Sequence, residues 1–104
     1  MIIDNYFPGI KELIIFEPGV MLRNECKQTK LNLPFNVESV SFKYNIDRDS
    51  EMILEMDDDV YNITLPKDKT EFTFKFDEVI RRRDVEIKLT ALQKTQLEYM
   101  KLLL

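Results

Sequence analysis

The sequence predicts a mainly β fold: an antiparallel β-sandwich or curved sheet of about six to eight short strands, with one C-terminal α-helix. Three stretches carry that reading. In residues 60–76 (VYNITLPKDKTEFTFKF), Tyr61, Ile63 and Leu65 alternate with Val60, Asn62 and Thr64. Pro66-Lys67-Asp68-Lys69 interrupts, and Phe72, Phe74 and Phe76 then alternate with Glu71, Thr73, Lys75 and Asp77. Period-2 alternation broken by a Pro/Asp/Lys turn reads as a β-hairpin with one apolar and one wet face. Its phenylalanines make it the expected centre of the core, at roughly 1.5–3 kcal/mol per fully buried side chain. The second stretch, residues 37–56, repeats the alternation twice. The third, residues 91–104, is rich in helix formers, has neither Gly nor Pro, and repeats apolar residues at helical spacing.

In chain order, residues 1–7 form a short apolar edge strand or arm. Pro8-Gly9 and Pro18-Gly19 follow, each a type II turn signature in which glycine supplies a positive φ. Between them, residues 10–17 (IKELIIFE) place Ile10, Leu13 and Ile14 at helical spacing, but the β-branched run and the short length favour a strand. A second strand is expected at 20–24, and a third at 29–33 ended by Pro34. Val40, Phe42, Tyr44 and Ile46 then face one way while Ser39, Ser41, Lys43 and Asn45 face the other. The turn Asp47-Arg48-Asp49-Ser50 leads into a strand with Met52, Leu54 and Met56 on one side. The acidic Asp57-Asp58-Asp59 turn joins that strand to residues 60–65. Short polar connections make an antiparallel meander the expected topology. Residues 77–83 form one helical turn, and Val85, Ile87 and Leu89 a last strand. Thr90 and Gln93 are spaced as a capping box for the terminal helix.

Composition bounds the function. A chain of 104 residues is read as one domain spanning 1–104, large enough for a single core. Apolar residues make up 44% and charged residues 33%, as in globular proteins. No apolar run approaches the ~20 residues that span a bilayer, so no membrane partner is expected. The start shows no basic region followed by an apolar one, and the lone Cys26 cannot form an internal disulfide. A cytoplasmic location follows as the expectation. The net charge of −4 argues against nucleic acid, which selects a basic excess.

Candidate chemistry is sparse. Histidine is absent, which removes the commonest general base and metal ligand. Cys26 then lacks a histidine partner and reads as inert. Two glycines, each beside a proline, cannot build a phosphate loop. Residues 45–51 have the ligand spacing of a calcium-loop start but not its turn glycine or its terminal glutamate. Neither those acids nor Asp57-Asp58-Asp59 forms a complete ligand set, so no metal, cofactor or catalytic residue is assigned.

Two features point to partners. Arg81, Arg82 and Arg83 stand adjacent in an acidic chain, and guanidinium forks match oxyanions; ion pairing with nearby acids is the plainer role. The terminal helix carries two apolar edges, Leu92, Gln96, Tyr99 and Leu103 on one and Leu97, Met100 and Leu104 on the other. A sheet covers only one such width, which leaves Leu97, Met100 and Leu104 for a second copy. The expected function is a non-enzymatic protein-protein interaction module, homo-oligomeric and most simply dimeric. An acidic, Asn/Asp/Ile/Lys-rich, Gly-poor composition is common among viral and bacteriophage accessory proteins, which suits an assembly component or an inhibitor of a host protein. The alternative is a small ligand- or cation-binding barrel, or a hydrolase, using the acidic turns.

Overall fold

The computed structural model describes residues 12–104. The expected arm at 1–7 and the Pro8-Gly9 turn lie outside the described residues. Nine strands follow: β1 (Glu12–Phe16), β2 (Gly19–Met21), β3 (Cys26–Asn32), β4 (Val37–Asn45), β5 (Ser50–Met56), β6 (Asp59–Leu65), β7 (Glu71–Ile80), β8 (Asp84–Ala91) and β9 (Thr95–Leu103). They build two antiparallel sheets. The first runs β1-β9-β4-β7, with β2 also paired to β9, and the second runs β3-β8-β5-β6.

From β2 onward, every connection crosses between the sheets except the β5–β6 hairpin. This is the order of a jelly roll, in which nested Greek keys wrap two sheets around one core. The core comes from the inward half of each alternating strand. Val40, Phe42 and Tyr44 of β4, with Leu97, Met100 and Leu102 of β9, meet Met52, Leu54 and Met56 of β5 and Val85, Ile87 and Leu89 of β8. The inward faces read from residues 37–65 are thus the faces that pack.

The meander is corrected by this topology. β4 belongs to the first sheet and β5 to the second, so among the described strands only β5 and β6 are consecutive neighbours. The 60–76 hairpin is corrected in the same way: β6 and β7 are edge strands of opposite sheets. Their aromatic residues meet across the seam, with Tyr61 and Phe76 ring centroids 4.7 Å apart and Tyr61 and Phe74 5.9 Å apart. Alternation fixes which side chains point inward, but it is identical for a strand beside its predecessor and for one facing it. The loop is held in the crossing form by Tyr44, whose N–H donates to Thr70 O at 2.9 Å and whose hydroxyl donates to Pro66 O at 2.8 Å.

The C-terminal helix is also corrected. The described residues contain no helix, and β9 occupies the interior of the first sheet between β1/β2 and β4. The inward residues of β9 are Thr95, Leu97, Met100 and Leu102, so the spacing jumps from two to three in mid-strand. Tyr44 pairs with Leu97 and Lys43 with Tyr99, which leaves Glu98 as the extra residue of a β-bulge. The inserted residue produces the i, i+3 step that looks helical. Pairing on both sides satisfies the β9 backbone, which outweighs the helix propensity of Leu, Gln, Glu, Met and Lys. The proposed capping glutamine does other work: Gln93 Oε1 accepts the Glu51 N–H at 2.7 Å.

Two smaller expectations also change. Residues 77–80 continue β7 instead of turning as a helix, with irregular pairing between Val37 and Ser39 of the partner strand. Gly19 opens β2 and has no positive φ, so Pro18-Gly19 is not a type II turn. Asn24 (φ 66°) and Asp57 (φ 56°) adopt the left-handed conformation instead, a region Asn and Asp tolerate better than most side chains.

Candidate functional site

The arginine triplet does not act as one cluster. Arg82 Nε lies 3.0 Å from Asp57 Oδ2, and its Nη2 donates to Asp59 Oδ2 at 3.1 Å and to Met56 O at 3.3 Å. Asp57 in turn accepts the Glu86 N–H through Oδ1 at 3.0 Å. Arg82 therefore ties the β5–β6 turn to the β7–β8 connection. Arg83 Nη1 donates to Leu33 O at 3.2 Å, and Leu33 N–H donates to Arg83 O at 2.7 Å. Arg81 is exposed and has no ion pair among the described residues. Leu97 and Met100, expected on a partner-facing helix edge, are core residues. Leu104 alone of that trio is exposed, at 42%.

The acidic turns are similarly occupied. Asp57 and Asp59 receive Arg82, and Asp49 Oδ1 accepts the Lys67 N–H at 2.8 Å. Among the described residues, no group of three or more His, Cys, Asp or Glu is placed to hold a metal ion.

Two surfaces stand out once the strands are assembled. The first is the β1–β2 margin. Both strands pair with β9, β1 at Met100–Leu103 and β2 at Thr95–Leu97, so together they form one broken edge strand. Ile14, Val20 and Leu22 are exposed along it at 60%, 46% and 59%. Leu104 follows the Glu12–Leu103 pair at the far end. Of the other edges, β3 carries Lys27 and Lys30 and β7 carries Glu71, Lys75, Asp77 and Glu78, while β6 exposes a single large apolar residue, Val60, at 56%. Charged side chains blunt sheet edges against further pairing, whereas the β1–β2 margin presents apolar ones. Behind the margin, Lys101 Nζ lies 3.2 Å from Glu12 Oε2 and 4.6 Å from the Tyr99 ring centre, and the Tyr99 hydroxyl donates to Glu71. The bond to Glu12 holds the Lys101 ammonium above its ordinary pKa, and the bond to Glu71 raises that of Tyr99.

The second surface is an open cleft of about 480 Å³ where three connections meet. It is lined by Arg23, Asp47, Arg48, Leu92, Gln93 and Lys94. A neighbouring groove of about 360 Å³ shares Asp47 and Lys94 and adds Val20 and Ile46. Each contributing connection is pinned. The β2–β3 turn closes with Glu25 N–H on Leu22 O at 3.0 Å, and Asn24 N–H donates to Ala91 O at 2.7 Å. Glu25 Oε1 accepts the Leu22 N–H at 2.9 Å, which turns that carboxylate to the backbone. The β8–β9 connection is fixed by Leu92 N–H to Glu51 O at 3.0 Å and by Gln93 on Glu51. In the β4–β5 connection, Ser50 Oγ donates to Arg48 O at 3.4 Å.

Neither surface was marked by a motif. Val20, Leu22, Arg23, Arg48 and Lys94 are scattered in sequence, and only the crossing order of the strands brings their segments together. The one local signal is a pair of outward apolar residues, Val20 and Leu22, flanking buried Met21.

No protein-family model matches the sequence, and no curated protein matches it. Among solved structures, the chain is similar to the tryptic core variant of Cry1Da from Bacillus thuringiensis, with a TM-score of 0.56 at 9% identity. The match covers 91% of this chain but 21% of the other, so the chain spans about a fifth of that protein's length. At this identity the likeness concerns the fold alone. No helix of the described residues is long and apolar enough to cross a membrane.

Proposed function

We propose that this chain is a non-enzymatic protein-protein interaction module, and that its partner is a second copy joined along the β1–β2 margin. The observation that carries this reading is the line of exposed apolar side chains, Ile14, Val20, Leu22 and Leu104, which gathers on one margin four of the five large apolar residues exposed among the described residues. A strand edge is self-complementary: two copies related by a two-fold axis can pair the same margin antiparallel, closing the assembly as a dimer. Such pairing continues the first sheet from one copy into the next and covers the apolar side chains on both. Leu104 is the residue of the terminal segment that joins this contact. Arg81, exposed just past β7 at the opposite edge of the first sheet, is left for contacts outside it.

Sedimentation velocity of the full chain at tens of micromolar is the test. The wild type is expected to sediment as a dimer with a melting temperature that rises with concentration, and Val20→Lys with Leu22→Lys as a folded monomer whose melting temperature does not depend on concentration. A monomeric wild type at that concentration contradicts the reading.

A further inference from the structure

We infer that the cleft between the β2–β3, β4–β5 and β8–β9 connections binds the phosphoryl group of a small molecule. Arg23, Arg48 and Lys94 enter it from three separate connections, against the single carboxylate of Asp47. That local excess of positive charge stands in a chain whose net charge is −4, so it opposes the overall balance. A concave site lined by one sign of charge concentrates the field and draws in ligands of the opposite sign. Asp47 Oδ1 lies 3.7 Å from Arg48 Nε with both side chains largely exposed, an ion pair of small energy that an incoming anion displaces at little cost. Glu25, the other carboxylate of the β2–β3 turn, is turned to the Leu22 N–H and does not compete for Arg23.

The type of anion follows from the number and chemistry of the donors. Donors arriving from three connections suit a group with three acceptor oxygens, and a phosphoryl group has three where a carboxylate has two. Arginine forks bind such oxygens bidentately, and lysine serves as a point charge. Gln93 has its amide oxygen on Glu51 N–H, so its NH₂ end remains as a neutral donor in the same lining. The hydrogen bonds that pin each connection fix the backbone from which these donors project, which lowers the ordering cost of binding. Leu92 in the cleft, with Ile46 in the adjoining groove, supplies apolar surface beside the cationic centre. The ligand that matches both parts is a phosphomonoester with an apolar body. Its volume is bounded by a site at the small end of the ~300–1,000 Å³ range of ligand pockets.

Backbone amide chemical shifts of the full chain, titrated with inorganic phosphate, phenyl phosphate and succinate, test the inference. Phenyl phosphate is expected to shift amides of residues 22–25, 46–49 and 92–94 with a dissociation constant of about 1 mM or tighter. Inorganic phosphate shifts the same amides more weakly if the apolar groove takes part. Arg23→Gln, Arg48→Gln and Lys94→Gln, all exposed positions whose replacement leaves the fold intact, are each expected to weaken binding about tenfold or more. Absence of shifts with either phosphate overturns the site. So do shifts scattered over surface lysines and unaffected by the three variants. Succinate binding as tightly as phenyl phosphate overturns the phosphoryl assignment.

Discussion

Arg82 and Arg81 are neighbours of identical chemistry with opposite roles, and the difference lies in what each guanidinium touches. Arg82 bridges Asp57, Asp59 and Met56 O, so Arg82→Ala removes charge-assisted bonds from a left-handed turn. Exposure of the Arg82 side chain at 44% screens the ion pairs, and the expected loss is about 1 kcal/mol. Arg81→Ala is expected within about 0.5 kcal/mol of wild type, since it removes no ion pair among the described residues. Urea unfolding of both variants checks the contrast. Tyr44 gives a second residue-scale prediction. Burial first, and then the carboxylates of Asp68 and Asp49, raise its hydroxyl pKa above the ordinary tyrosine value. Because the folded state holds this proton more tightly than the unfolded chain, its contribution is complete below about pH 10. It is lost as pH rises from there through the raised folded value. Stability should therefore fall above about pH 10, and Tyr44→Phe should flatten that fall. At neutral pH the same variant loses the bond to Pro66 O, at a cost of about 0.5–1.5 kcal/mol.

At the scale of elements, β9 shows where sequence reasoning reaches and where it stops. Inward faces were legible wherever alternation was unbroken, as with Val40, Phe42 and Tyr44 or Met52, Leu54 and Met56. In β9 the bulge at Glu98 turned two phases of period two into an apparent helical stripe, and no local composition marks that insertion. The bulge makes a deletion test. Removing Glu98 joins Leu97 to Tyr99 in regular register and keeps Met100 and Leu102 inward, so the variant should fold, with a loss of no more than about 2 kcal/mol. Removing Ile53 from the regular strand β5 instead drives Leu54 and Met56 to the wet face and Glu55 inward, and should abolish cooperative unfolding. Circular dichroism and thermal melts distinguish the two; equal damage from both deletions would mean that Glu98 is not the inserted residue. The candidate surfaces were less legible than the fold for a related reason. Arg81, Arg82 and Arg83 form a conspicuous run but are largely consumed by internal contacts, while Arg23, Arg48 and Lys94 form no run and yet line one cleft.

Over the whole molecule, the crossing order of strands decides which surfaces exist. A hairpin between β6 and β7 would have placed their aromatic residues side by side; the jelly roll places them face to face and turns both strands into edges. The same order puts β9 inside the first sheet and leaves β1 and β2 as its broken margin. The structural likeness to a fifth of a Cry1Da chain supports that arrangement of strands and carries no activity with it. The proposed contact between copies of this chain lies along that margin. Amide hydrogen exchange, measured at low and at tens of micromolar protein, addresses it strand by strand. Exchange in β1 and β2 is expected to slow as concentration rises, while the β3 and β7 edges exchange at the same rate throughout. Concentration-independent exchange in β1 and β2, or protection appearing at β3 or β7 instead, would contradict it.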